Sequence, residues 1–152
     1  MLVLAIVAYA LFSRTMRYFE VSEKAAMTLT VLAVEQGMRV RFAMAAMKQA
    51  PAPSAGWQET NPFEFAHAVP PNYLGELGAG ADLRELKPGN WFYDRDRREI
   101  AYLPRLASRF RSEADTAIPI IRFRVEKRGA TSTLPSLVQV GSYLWEPEFA
   151  TF

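Results

Sequence analysis

Cysteine is absent from the 152 residues, and histidine occurs once, at His67. The first absence excludes disulfides, thiolate catalysis and cysteine-based zinc or iron–sulfur sites. The second leaves any metal site or acid–base pair to be built almost wholly from carboxylates. Between Arg14 and Gln49 there is no proline and one glycine, Gly37, so little in that stretch opposes a helix. A dominant charge of one sign is also missing: the net charge is +2. Arg84 to Arg128 holds 12 basic and 7 acidic residues and the remainder 6 and 9, so the C-terminal half is mildly cationic with its charges interspersed. That pattern reads as a solvated sheet face, and no nucleic-acid partner is expected.

What is present is enough to fold. Half the residues are apolar and 22% are charged, as in ordinary globular proteins. The length suits one domain.

Met1 to Phe12 reads MLVLAIVAYALF, without a charge. A bilayer-spanning helix takes about 20 apolar residues, so this run is short for a span. No basic residue precedes it and no small-residue cleavage site follows, which fits a signal peptide poorly. We read it as a membrane-anchor tip, residues 1–13, with Leu2, Val3, Leu4, Ile6, Val7, Leu11 and Phe12 as the anchoring side chains. It lies at the terminus, is apolar on every face and runs straight into a polar helix. A core helix of a soluble domain and an atypical signal peptide are the alternatives. Native residues upstream of Met1 would account for the shortness. Arg14 and Arg17 flank the run on its C-terminal side, which by the positive-inside rule would be cytoplasmic.

Residues 14–50 predict a long amphipathic helix. Val31, Val34, Met38, Phe42 and Ala45 recur at steps of three and four, a single stripe. Glu20–Lys24 and Glu35–Arg39 stand at i,i+4 in the favourable order. Unbroken from the tip, the rod is about 70 Å long at 1.5 Å per residue; the alternative is a break near Ser13 or Ser22. Met16, Met27, Met38, Met44 and Met47 read as ordinary core. Ala50-Pro51-Ala52-Pro53-Ser54-Ala55-Gly56 ends the helix. Residues 51–88 predict an irregular connection, with a short helix at Asn72–Leu77 or Ala81–Leu86, pinned by Trp57, Phe63, Phe65 and Tyr73.

Residues 89–152 predict an antiparallel sheet of three or four strands. Trp91-Phe92-Tyr93 and Ile100-Ala101-Tyr102-Leu103 flank the charged turn Asp94–Glu99. From Ile118 to Glu126, Ile121, Phe123 and Val125 alternate with Arg122, Arg124 and Glu126, a strand with one wet side. Leu137 to Trp145 repeats the pattern, with Val138, Val140 and Leu144 facing inward. The expected fold is α+β: a long N-terminal helix packed on a small antiparallel sheet, Val31, Val34, Met38 and Phe42 meeting Ile121, Phe123, Val125, Val138 and Val140.

Asn61-Pro62-Phe63, Pro71-Asn72-Tyr73-Leu74-Gly75, Pro88-Gly89-Asn90-Trp91-Phe92-Tyr93-Asp94 and Ile100-Ala101-Tyr102-Leu103-Pro104, following an apolar-tipped helix, resemble the segments used after the helix by type IV pilins and type II secretion pseudopilins. The chain is also similar to accessory proteins of mannose-sensitive haemagglutinin (MSHA) pilus biogenesis. The resemblance covers most of the architecture and about 40 residues of text. It implies a single-pass inner-membrane protein with a periplasmic sheet domain. Its implied partners are other pilin or pseudopilin subunits through the N-terminal helix, inner-membrane assembly proteins and membrane lipid. Family members carry a short basic leader ending in Gly, cut before Phe or Met, and a Glu at the fifth mature position. Here the fifth residue is Ala5, no leader is present and a mid-helix proline is missing. An accessory, minor or initiating role suits these departures better than a major subunit. The other class of reading is a soluble α+β binding module whose N-terminal helix is a core or dimer element.

No catalytic residues, cofactor or metal are expected, and the chain does not read as an enzyme. Asp94, Asp96 and Glu99 could surround calcium, but Arg95, Arg97 and Arg98 would compensate them without a metal. His67 reads as structural. Gly75–Gly80 lacks the spacing of a phosphate loop and reads as a turn.

Overall fold

The computed structural model describes residues 2–50, 56–112, 118–127 and 134–145. Residues 51–55 of the anticipated connection and Met1 lie outside the described residues, as does the side chain of Leu2.

The expected helix forms without a break. Helix α1 runs from Leu2 to Ala46, 45 residues or about 68 Å at the standard rise. Neither Ser13 nor Ser22 interrupts it. Ser13 Oγ donates to the Ala10 carbonyl, and Thr15, Thr28 and Thr30 bond back to carbonyls four residues earlier, so these polar groups are met within the helix. The C-terminus closes as a Schellman turn. The Gln49 amide bonds the Met44 carbonyl at 2.9 Å and the Lys48 amide the Ala45 carbonyl at 3.0 Å. Lys48 takes the left-handed backbone (φ 58°) that glycine usually occupies there.

Among the described residues seven strands follow: β1 (Tyr73–Leu77), β2 (Asn90–Asp94), β3 (Glu99–Leu103), β4 (Phe110–Ser112), β5 (Ile121–Lys127), β6 (Pro135–Val140) and β7 (Tyr143–Trp145). Five form one sheet in the order β1-β2-β3-β5-β6, and β4 pairs with β7 in a two-stranded sheet. The β2–β3 hairpin is the one anticipated, closing with Asp94 opposite Glu99. The fold is α+β, a long helix laid on a sheet.

The differences from expectation are instructive. The main sheet is mixed, because β1 runs parallel to β2. Tyr73–Leu77 is therefore a strand where a short helix was expected, and Ala81–Leu86 forms turns; the helical turn of the connection is a 3₁₀ turn at Pro62–Phe65. The segment Leu137–Trp145 is two strands in two sheets, divided at Gly141, whose φ of 76° breaks the extended run. Its facing is also reversed. Pairing sets Leu137 opposite Val125 and Gln139 opposite Phe123, while Val138 and Val140 oppose Arg124 and Arg122. Directly opposed residues share a face. Val138 and Val140 thus point away from α1, Val138 being 39% exposed, and Leu137 takes the inward place. In β7, Trp145 and the half-buried Tyr143 turn inward and Leu144 is exposed.

The main core lies between α1 and the sheet. Met27, Val31 and Val34 meet Trp91, Tyr93, Ile100, Tyr102, Ile121 and Phe123, with Trp145 and Phe63 closing the two ends. Val125 and Met38 are buried as expected. Phe42 packs on the connection instead of the sheet, its ring 5.6 Å from that of Trp57. A second core covers the opposite sheet face, where Phe92, Ala101 and Leu103 lie under Leu83, Leu86, Ile118 and Ile120. That face was expected to be wet; the 78–88 connection covers much of it.

Candidate functional site

Three features distinguish α1 from an ordinary core helix: a projecting apolar end, a ring of polar attachments beneath it, and a groove on its outer side.

From Val3 to Phe19 the large apolar side chains are exposed, Leu4 at 70% and Tyr9 at 74% among them. Counted from the start of α1 at Leu2 to Phe19, the section is about 27 Å long by the helical rise. Of the anchor residues named from sequence, Val3, Leu4, Ile6, Val7, Leu11 and Phe12 all lie here, open to solvent. Among the described residues no helix is both long enough and apolar enough to cross a membrane.

Where the exposed section ends, the helix is clasped. Glu20 is 3% exposed and accepts from Trp145 Nε1 at 2.9 Å, Ser108 Oγ at 2.8 Å and the Arg109 amide at 3.4 Å. One turn on, Glu23 accepts from Tyr102 Oη at 2.8 Å and from the amides of Arg105 and Leu106 at 2.6 and 2.9 Å. Lys24 Nζ donates to the Trp145 carbonyl at 2.6 Å. The three side chains tie α1 to the β3–β4 loop and to β7. Burial first, and then the bond to the Glu23 carboxylate, push the Tyr102 phenol well above its ordinary range. Sequence reading assigned Glu20 and Lys24 to a surface i,i+4 pair; each instead reaches across to the sheet domain. The signal for this was positional, since Glu20, Lys24, Met27, Val31, Val34 and Met38 follow one another at steps of three and four. Glu35–Arg39 does form the expected pair, at 2.8 Å.

Two of the three carboxylates of the β2–β3 hairpin, Asp94 and Glu99, are held by arginines, mostly other ones than anticipated. Asp94 accepts from Arg122 at 3.0 Å, and Glu99, 2% exposed, lies between Arg122 and Arg124. Arg97 pairs with Asp94 as expected, while Arg95 and Arg98 reach Glu76 and Glu59. Among the described residues no group of three or more potential metal ligands converges.

On the outer side of α1, an open groove of about 470 Å³ runs between the helix and the chain after the 3₁₀ turn, lined by Ala33, Gln36, Gly37, Val40, Arg41, Met44, Phe65 and His67. Gly37 sets its depth: a Cβ there would lie 2.1 Å from the Phe65 carbonyl oxygen, so only glycine admits this approach. Trp57, its ring 5.0 Å from that of Phe65, braces the outer wall. Asn61 fixes the turn, its Oδ1 accepting from the Phe63 amide while its Nδ2 donates to Tyr73 Oη and Glu76.

No protein-family model, curated protein or solved structure matches the chain.

Proposed function

We propose that this is a pilin-like accessory protein, of the minor pilin or pseudopilin type, that serves assembly of a type IV pilus or a type II secretion system. On this reading the apolar end of α1 attaches it to the inner membrane, the sheet domain lies on the periplasmic side, and neighbouring subunits meet it through the N-terminal helix. The observation that carries the reading is the projecting section of α1, where Val3, Leu4, Ile6, Tyr9, Leu11 and Phe12 are all more than half exposed. An apolar surface of that extent on an isolated rod marks a membrane or protein contact. The helix-then-sheet order and the aromatic Trp91–Asp94 strand agree with the resemblance.

A second reading is a soluble α+β binding module whose helix is a core or dimer element. It draws on Leu29 and Leu32, exposed at 65% and 54% on the section of α1 that is docked to the sheet, well away from the tip.

Flotation with phospholipid vesicles separates the two. The membrane reading expects the full chain to float with vesicles and the Leu4→Gln/Leu11→Gln variant to stay behind. A parent chain that remains in solution, free of vesicles and detergent, rejects it.

A further inference from the structure

The groove beside Gly37 lies on the docked section of α1, away from the projecting end, and the proposal above makes no use of it. Its walls are Val40, Met44 and Phe65, and its floor, at Ala33 and Gly37, has almost no side-chain bulk. The Arg41 guanidinium stands at it with the His67 ring beside it, and among the described residues no carboxylate lines it. Arg41 makes no ion pair among the described residues, whereas Arg39 beside it is bonded to Glu35. The apolar strip continues past the groove along the same side of the helix to Leu29, with Leu32 on its flank. From Met44 to Leu29 the strip spans about 22 Å at 1.5 Å per residue, the length of about four helical turns.

We propose that this groove receives an acidic amphipathic helix from a partner protein, with an apolar side chain entering between Val40 and Phe65 and a carboxylate of the next turn meeting Arg41 and His67. The mode is helix-in-groove recognition, in which residues at i, i+3, i+4 and i+7 supply the anchors. The bracing by Trp57 and the contact of Gly37 with Phe65 keep the groove formed without the partner, which lowers the ordering cost of binding. The charge at the groove selects the sign of the partner.

The test uses the full chain and a fluorescein-labelled synthetic 18-residue helix with leucines at i, i+3, i+4 and i+7 and glutamates beside them, followed by anisotropy. A counterpart carrying lysine for each glutamate is the control. Saturable binding of the acidic helix is expected, with the basic one roughly tenfold weaker or more, and Arg41→Glu should invert that preference. The Leu4→Gln/Leu11→Gln variant should bind as the parent does. Equal binding of both helices, indifference to Arg41→Glu, loss of binding in the tip variant, or no saturable binding of the acidic helix each overturns the proposal.

Discussion

Up to Phe19, helix α1 presents side chains such as Leu4 and Tyr9 at 70% and 74% exposure; from Glu20 onward the side turned to the sheet carries Glu20, Met27, Val34 and Met38 at 4% or less. Backbone geometry is the same in both sections, and both are rich in apolar residues. The difference lies in what the rest of the chain offers them. Among the described residues the sheet and its connections cover only the second section, so its stripe has a partner there and the first has none large enough to bury it. Helical propensity cannot produce such a contrast; tertiary packing does. A helix can therefore be half core and half presentation surface with no change in local structure, and the boundary is marked by the two buried or half-buried carboxylates, Glu20 and Glu23.

If that boundary is set by the clasp, removing it should have the largest effect. Glu20→Ala with Glu23→Ala takes the acceptors from Trp145, Ser108, Tyr102 and three backbone amides, and a loss of about 3 kcal/mol or more in urea unfolding is expected. A change under half that value would mean that apolar packing alone seats the helix. Next comes Gly37→Val, which drives a side chain into the Phe65 carbonyl. Overpacking of this kind should cost about 2 kcal/mol, seen as a lower urea midpoint and a redder Trp57 emission.

A smaller and pH-dependent effect belongs to Tyr102. Its phenol stays protonated in the fold at pH values where the unfolded chain has begun to ionise, because burial and the Glu23 bond raise its pKa above the usual 10. Above about pH 10 the native state then binds more protons than the unfolded one, so stability should fall as pH rises and be fully present below that value. Tyr102→Phe should flatten this alkaline decline, and an unchanged slope would assign the decline to buried Tyr93 and the half-buried Tyr73 and Tyr143, whose phenols burial also raises. The smallest effect should come from the projecting section: Leu4→Gln/Leu11→Gln should shift folding stability by less than about 0.5 kcal/mol. A larger loss would show that the tip packs on the body and would erase the contrast.

Much of this arrangement was legible in the sequence, for reasons that can be traced to particular residues. The long proline-free stretch and the stripe from Val31 to Ala45 announced the helix. Ile121, Phe123 and Val125 alternate with charged residues, so the facing of β5 had a single solution. In β6, Leu137, Val138 and Val140 place apolar side chains at both parities, and the face is decided by pairing with β5, a contact the local text does not contain. In β1, Gly75 sits at φ 100° where the register with β2 shifts, which spoils the alternation that would reveal a strand. The clasp was missed because Glu20 and Lys24 make a good surface pair on paper. The groove depends on the approach of the helix to Phe65, 28 positions away in the chain, and only the lone helical glycine hinted at it.

The seating of α1 also has a mechanical meaning. The free arm of about 27 Å and the docked section of about 40 Å form a lever whose fulcrum is the Glu20–Glu23–Lys24 ring. A sideways push on the tip is borne first at that ring and balanced at the far end, where the Phe42 ring meets the tilted ring of Trp57. Six of the seven bonds at the fulcrum run to carboxylate oxygens and the seventh comes from the Lys24 ammonium; four of the seven end on backbone amides or a carbonyl. Load at the tip is thus passed straight into the chain of the sheet domain.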